Sequence, residues 1–324
     1  MMKISFIATV LNEEKTIDSF LASLANQSKL PNEIIIVDAG SVDKTITKIK
    51  KEKLKMKKNK IIIELLERKG FNRSQGRNEA IKKAKGEIIV TSDAGCLLDK
   101  EWLKEITKPF LKEDGPAVVS GFYLPTGESL FQKVLGQLTS VSLKNIDQKN
   151  FLPSSRSLAF KKNAWTKVGG YPEELNYCED LVFDLRLKNA GLEFIFASKA
   201  IVFWPQRKNF FQAIRQFFNY SVGDGMAGEQ GPHYKKLRWQ LLLLVGLGIL
   251  GALGWWQELG IAFFIFFVFK ALRLTSGFIG NSSFGFNHLL FFLSSFFLIP
   301  FLNLAVMLGF LAGIFKKSLI KDKK

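Results

Sequence analysis

The chain has 324 residues, 46 of them Lys or Arg against 29 Asp or Glu, a formal charge of +17. With 47% hydrophobic residues it can bury a core, which excludes a wholly disordered chain, and its length suits one large domain or two ordinary ones. Two cysteines, Cys96 and Cys178, exclude a disulfide framework and a four-thiolate zinc site, and point to a reducing compartment.

The first 205 residues alternate between strand and helix signals. Lys3 to Leu11 is a β-rich apolar run, and it meets Asn12-Glu13-Glu14 too early for a secretory signal. The N-terminal part is therefore expected to stay in the cytosol. A helix follows with Ile17, Phe20, Leu21 and Leu24 at helical spacing. Glu33 to Asp38 is too apolar to alternate, as in a parallel strand covered on both faces. Ala39-Gly40-Ser41 turns into a second helix; Ile61 to Ile63 and Glu87 to Asp93 read as the third and fourth strands. This order predicts a doubly wound, mostly parallel α/β sheet, whose ligands bind at the carboxyl ends of strands. Asp38 and Asp93 sit at such ends. The lysine run over 48–60 reads as a solvated helix end and loop, and without interleaved aromatics it does not suit nucleic acid.

Beyond residue 200 the composition shifts, with 20 of the 31 phenylalanines there. Trp239 to Trp256, Leu259 to Phe269 and Leu289 to Phe315 are runs long and pure enough to predict membrane segments. Lys235, Lys236, Arg238, Lys270, Arg273 and the C-terminal lysines from Lys316 onward each favour the cytosolic side of their run. Phe210 to Tyr220 reads as an amphipathic helix with Phe210, Ile214, Phe217 and Phe218 on one face and Arg215 and Gln216 turned away, suited to a bilayer surface. Gly223, Gly225 and Gly228 read as a flexible turn joining it to the membrane region. The expected division is a catalytic domain over 1–205, an interfacial segment and connector over 206–236, and a membrane region over 237–324 with two to four spans.

One set of residues could carry chemistry. Thr9, Asn12, Glu13 and Asp38 would line the first two strand ends. Arg73 and Arg77, just before a helix, suit an anion such as a diphosphate. Asp93 could hold a hard divalent cation that also takes diphosphate oxygens. Glu179-Asp180, after Gly169-Gly170-Tyr171-Pro172, could provide a general base. Arg156 could meet an acceptor phosphate or the donor. His233 and His288 lack metal-ligand spacing.

In order, Thr-Val-Leu-Asn-Glu-Glu (9–14), Ile-Ile-Val-Asp-Ala-Gly-Ser-Val-Asp-Lys-Thr (35–45), Gly-Arg-Asn (76–78), Ala-Lys-Gly-Glu (84–87), Ser-Asp-Ala-Gly (92–95), Gly-Gly-Tyr-Pro (169–172) and Glu-Asp (179–180) resemble a family 2 glycosyltransferase. The resemblance covers residues 3 to about 225. It implies the GT-A fold, a nucleotide-diphosphate sugar donor, a divalent cation (Mg2+ or Mn2+) and inverting transfer. It also implies that Thr9, Leu11 and Glu13 flank base and ribose, that Asp38 contacts the base, that Arg77 lies near the diphosphate, and that Asp93 is the first acid of the metal-binding Asp-x-Asp. The second acid of that motif falls at Gly95, which leaves Asp93, donor phosphates and water to hold the metal, an arrangement magnesium tolerates. Gln212 and Arg215 match the spacing of the Gln-x-x-Arg-Trp motif of processive synthases, with Gln216 in place of Trp, which disfavours processive synthesis. The resulting expectation is an integral membrane enzyme with its catalytic domain on the cytosolic face, Asp180 as base and Glu179 as helper, acting on a lipid-linked acceptor. The rival readings are a membrane-bound nucleotide-sugar-binding scaffold disabled at Gly95, and a nucleotidyl transferase, which would need a glycine-rich loop that residues 9–14 do not supply.

Overall fold

A computed structural model of the chain describes residues 2–58, 62–140, 143, 146–148, 151–279 and 286–321. Its elements, in order, are β1 (Ile4–Val10), α1 (Ile17–Ala25), β2 (Glu33–Asp38), α2 (Thr45–Lys58), β3 (Ile62–Glu67), α3 (Arg73–Lys83), β4 (Ile88–Thr91), β5 (Leu97–Leu98), α4 (Trp102–Thr107) and β6 (Val118–Thr126). Then come α5 (Leu130–Thr139), β7 (Leu158–Lys161), α6 (Lys162–Lys167), α7 (Glu179–Asn189), β8 (Phe194–Pro205), α8 (Phe210–Ala227), α9 (Tyr234–Ala252), α10 (Trp256–Ile279) and α11 (Phe286–Lys321). The chain divides into two units, residues 1–124 with 142–205 and residues 125–141 with 206–324.

In the first unit, eight strands form one sheet in the order β3-β2-β1-β4-β7-β6-β8-β5. The four strands on the β3 side are parallel, paired β3–β2, β2–β1 and β1–β4. The register then turns antiparallel at β4–β7 and stays so at β7–β6 and at β8–β5. The sheet is thus mixed: the parallel half follows the strand signals of the sequence, and the antiparallel half carries none that stood out. Because side chains alternate across a strand, β1 and β2 supply two separate cores. Phe6, Ala8, Ile34 and Ile36 pack with Ile17, Phe20, Leu21, Leu24 and Trp102 on the α1 and α4 face. Ile7, Ile35 and Val37 pack with Ile81, Phe160, Tyr171 and Phe183 on the α3 and α7 face. Burial on both faces is why β2 reads as an unbroken apolar run. Each large apolar side chain so buried contributes about 1.5–3 kcal/mol before its ordering entropy is charged against it.

The second unit is helical. Val134 and Leu135 of α5 are buried with Ala213 of α8 and Phe291, Leu298 and Leu302 of α11, and Phe210, Ile214 and Phe217 pack against that cluster. Phe210, Ile214 and Phe217 of α8 are thus partly covered by α5 and α11. Gln216, expected to turn away, is buried at 6% exposure, accepting from Arg207 and donating to the Tyr220 hydroxyl. The expected turn at Gly223 and Gly225 is helix. A Cβ on Gly225, Gly309 or Gly313 would collide with facing backbone (Phe310 O, Phe218 O and Val222 O respectively), so small residues let α8 and α11 approach closely.

The expected run Trp239 to Trp256 is not one helix. Helix α9 begins at Tyr234 and stops at Ala252, and the chain turns through Gly254 at φ +101° before α10 starts. Among the described residues, two helical stretches, Trp256–Ser276 and Asn287–Leu319, are long and apolar enough to cross a membrane. Pro300 sits inside the second. Ile61, placed in the third strand by the sequence, and the last three residues with their two lysines lie outside the described residues.

Candidate active site

The candidate residues from Thr9 to Asp180 all belong to the first unit, at the carboxyl ends of its parallel strands and in the segments that follow. Thr9, near the end of β1, has a buried hydroxyl with no hydrogen-bond partner. It lies against Gly76 of α3, where a Cβ would come within 2.5 Å of its methyl, so only glycine permits that helix to sit over the strand end. Asp38, at the end of β2, is fully buried. Its Oδ2 accepts from the backbone of Gly40 and Ser41 at 2.9 Å each, whereas Oδ1 is buried without a partner. Ser92, just beyond β4, likewise has an unpartnered buried hydroxyl. Buried polar atoms without partners are costly, and three of them lie at adjacent strand ends. Leu11 beside them is 51% exposed, and Glu13 accepts from the Thr16 hydroxyl at 2.6 Å while its backbone N–H donates to the Thr45 hydroxyl oxygen at 2.7 Å.

Helix α3 opens with a reciprocal capping box between Asn72 and Gln75, which fixes where its two arginines emerge. Arg73 is exposed, with its guanidinium 4.8 Å above the Tyr177 ring and an Nη1 bond to Asn176 O at 3.2 Å. Arg77, one turn on, is only 4% exposed. It donates to Glu179 Oε1 at 2.5 Å and to Asp93 Oδ1 at 3.1 Å, and lies 5.3 Å from the centre of the Tyr171 ring. Arg77 is thereby a buried strut tying the end of β4 to the start of α7. Burial alone would lower its pKa, but Glu179 and Asp93 more than reverse that, so it stays cationic. Burial also pushes Glu179 above the ordinary carboxylate value, with Arg77 drawing it back. Asp93 keeps 41% of its side chain exposed. Desolvation would raise its pKa, but Arg77, Arg156 and Arg73 hold it below the usual range.

The acidic pair divides its labour by position. Glu179 faces inward on Arg77, while Asp180 is partly exposed. Asp180 Oδ2 accepts from the Ser154 hydroxyl at 3.3 Å and from the Ser155 backbone at 3.4 Å, and Oδ1 accepts from the Leu181 backbone at 3.0 Å. Cys178 precedes the pair at φ +65°, a left-handed conformation in which a side chain is strained, and swings the chain into α7. Arg156 joins the group from the segment before β7. Its guanidinium lies 4.0 Å from the Trp204 ring centre and 5.4 Å from that of Tyr123, donates to Ser154 Oγ at 2.8 Å, and has Nε 3.8 Å from Asp93 Oδ2. Ser154 thereby bridges Arg156 and Asp180.

Several members of this group escaped the sequence reading. Asn78 receives the Tyr171 backbone and the Trp165 indole on Oδ1 and donates to Tyr171 O, pinning the Gly-Gly-Tyr-Pro loop; its place in Gly-Arg-Asn was the available signal. Ser154, Tyr123 and Trp204 had no local signal. Asp184, one turn beyond Asp180, is fully buried with neither carboxylate oxygen partnered. Burial, aided by the charge of Asp180, raises its pKa well above the ordinary value against the pull of Lys188 and Arg77. Gln212 and Arg215 belong to the second unit, on α8: Gln212 accepts from the Lys208 backbone at 3.2 Å, a local cap, and Arg215 is exposed.

The Glycosyl transferase family 2 profile matches residues 5–170, just over half of the chain, and the chain belongs to that family. The poly(ribitol-phosphate) beta-N-acetylglucosaminyltransferase TarS of Staphylococcus aureus is 28% identical over 218 residues, covering 64% of this chain and 36% of its own length. The O-antigen chain rhamnosyltransferase RfbN of Salmonella typhimurium is 24% identical over 265 residues, covering 75% of this chain and 82% of that protein. The chain thus spans about a third of the length of TarS and most of RfbN. Among solved structures, the mannosyltransferase PcManGT from Pyrobaculum calidifontis, in complex with GDP-Man and Mn2+, aligns with a TM-score of 0.56 over 100% of this chain and 88% of that one, at 18% identity. That likeness concerns the fold alone, and the fold is the GT-A fold.

The cation expected at Asp93 is not matched by the donor set. Gly95 offers no carboxylate, and among the described residues no three His, Cys, Asp or Glu side chains gather to hold a metal. Both oxygens of Asp93 already face guanidinium groups. Two unit charges 4 Å apart at an effective dielectric of 20 interact by about 4 kcal/mol, and a divalent ion facing a guanidinium doubles that repulsion.

Proposed function

We propose that the chain is a membrane-anchored inverting glycosyltransferase that moves a sugar from a nucleotide-diphosphate sugar to a hydroxyl of a membrane-associated, polyprenyl-linked acceptor. The observation that carries this reading is Asp180: a partly exposed carboxylate, oriented by three donors, next to the Arg77–Asp93–Glu179 cluster at the strand ends. The unpartnered atoms of Thr9, Asp38 and Ser92 suit the polar edge of a nucleoside, and exposed Leu11 suits its base. Asp180 takes the proton of the acceptor hydroxyl as that oxygen attacks the anomeric carbon from the side opposite the leaving diphosphate. The guanidinium groups facing Asp93 meet the charge that grows on the diphosphate as it departs. Glu179 acts through Arg77, holding the cluster in register.

Transfer is read as non-processive, because Gln216 stands where the processive motif has Trp and is taken up in packing with Arg207 and Tyr220. The two apolar helices and their flanking lysines and arginines support an integral membrane protein with the first unit on the cytosolic face. The relatives TarS and RfbN, named for transfer to poly(ribitol-phosphate) and for the O-antigen chain, support a sugar-transfer reading.

The test is transfer itself. Purified full-length chain is incubated with UDP-, GDP- and dTDP-sugars and a bacterial lipid extract, and labelled sugar is followed into the lipid fraction. Transfer with inverted anomeric configuration is expected with at least one donor. Absence of transfer and of donor hydrolysis across the panel overturns the reading in favour of a disabled binding protein.

A further inference from the structure

Asp93 lies between two guanidinium groups, one of which also holds Glu179. Arg77 Nη2 lies 3.1 Å from one carboxylate oxygen and Arg156 Nε 3.8 Å from the other. Two residues on, a Cβ at Gly95 would meet nothing within 4 Å, so there is room for a second acid and no acid there. Arg156 is the better placed of the two arginines to meet a ligand. Arg77 is enclosed by Glu179, Asp93 and Tyr171 with 5% of its side chain exposed, whereas Arg156 keeps 15% exposed and has a firm seat. That seat is the Trp204 ring at 4.0 Å, the Tyr123 ring at 5.4 Å and Ser154 Oγ at 2.8 Å. A planar guanidinium stacked on an aromatic face loses little further freedom when its fork takes two phosphate oxygens. Through Ser154 the same arginine is linked to Asp180, so counter-charge and base are held in one geometry.

We propose that Arg156, stacked on Trp204 and seated beside Asp93, takes the place of a protein-held divalent cation: it binds the donor diphosphate directly, and nucleotide binding needs no metal ion. The inference rests on the glycosyltransferase reading. In the transfer, the bond from the anomeric carbon to the diphosphate oxygen breaks with its electron pair left on that oxygen. The acceptor oxygen forms the new bond and its proton passes to Asp180. Arg156 gives up no proton; a guanidinium stays charged throughout and stabilises the departing oxygen by charge and hydrogen bonds alone. Asp93 is then a positioning residue that aims Arg156.

The experiment measures binding of UDP, GDP and dTDP to the full chain in detergent by calorimetry, in Mg2+ and in EDTA, alongside Mn2+ electron paramagnetic resonance with and without nucleotide. Wild type should bind its preferred nucleotide with affinity unchanged within about threefold in EDTA, and should give no nucleotide-dependent Mn2+ signal. Arg156→Ala should weaken that binding by roughly tenfold or more, with Arg156→Lys in between, because a point charge cannot reproduce the fork. Gly95→Asp, which the open space accepts, should gain a nucleotide-dependent Mn2+ signal and become sensitive to EDTA. A wild-type affinity that falls by about tenfold or more in EDTA, or a stoichiometric Mn2+ signal in its nucleotide complex, overturns the proposal without any variant having to fold. An Arg156→Ala chain that melts like wild type and binds as tightly also overturns it. Failure to bind any of the three nucleotides, with or without metal, overturns the glycosyltransferase reading as well.

Discussion

Asp180 and Asp184 lie one helical turn apart on α7 in different environments. Asp180 is partly exposed and receives three hydrogen bonds. Replacing it with Asn keeps its shape and removes its basicity. Asp180→Asn is expected to lower turnover by roughly 10²–10⁴ while donor affinity stays within a few-fold. Initial-rate kinetics paired with calorimetry would check this, and near wild-type turnover would remove Asp180 as the base. Asp184 is buried with no partner and has a raised pKa. Between about pH 4, where an unfolded aspartate titrates, and the raised folded value, the native state binds more protons than the unfolded one. Stability contributed by this group is therefore present at low pH and falls as pH rises through that window. Asp184→Asn has no proton to lose. Its melting temperature should exceed wild type by a few degrees at pH 8, with the gain shrinking toward pH 4. A gain that is flat across pH, followed by scanning fluorimetry, would mean that Asp184 is not held protonated.

Among the elements, the pairing of α8 with α11 depends on what is missing from its side chains. Gly309 and Gly313 of α11 face the backbone of α8, and Gly225 of α8 faces the backbone of α11. The colliding atoms are main chain, which cannot swing aside as a flexible side chain would. Gly309→Ala and Gly313→Ala should each destabilise the second unit by about 1–3 kcal/mol through overpacking. Gly260→Ala on α10, where a Cβ meets nothing within 4 Å, is the matched control and should be near neutral. Thermal unfolding in one detergent would compare the three, and equal melting temperatures would show that the helices do not approach this closely. The spacing of Gly309 and Gly313 is plain in the sequence. That they face α8 is not, because a glycine pair reveals its partner only once both helices are folded.

At the scale of the whole molecule, α5 has the largest consequence. It lies between β6 and β7 in the chain, yet its apolar residues belong to the second unit's core. A chain cut after residue 205 keeps every candidate site residue of the first unit and leaves Phe131, Val134, Leu135 and Leu138 without cover. The plain cut is expected to aggregate. The same cut with those four residues changed to Ser or Glu should stay monomeric, bind nucleotide and act poorly on a lipid-linked acceptor, having lost the effective concentration that tethering provides. Size-exclusion chromatography and nucleotide titration of the two forms would decide. A plain cut that is monomeric would mean that α5 needs no partner.

Local patterning sufficed wherever a signal lay within a few residues. The unbroken run of β2, the helical spacing of α1 and the motif aspartates at strand ends follow from burial on two faces, from period and from chain order. So did the family resemblance and the apolar character of the C-terminal third. Tertiary structure alone decided that Arg77 is locked between Glu179 and Asp93, since those partners lie 102 and 16 residues away. It alone seated Arg156 on Trp204 beside Asp93, moved α5 out of its sequence neighbourhood, and partly covered Phe210, Ile214 and Phe217 of α8. The physical reason is the same in each case. Periodicity says that a face must be buried and charge says that a group must be compensated, but neither names the partner, which is chosen only when distant segments compete for the same space.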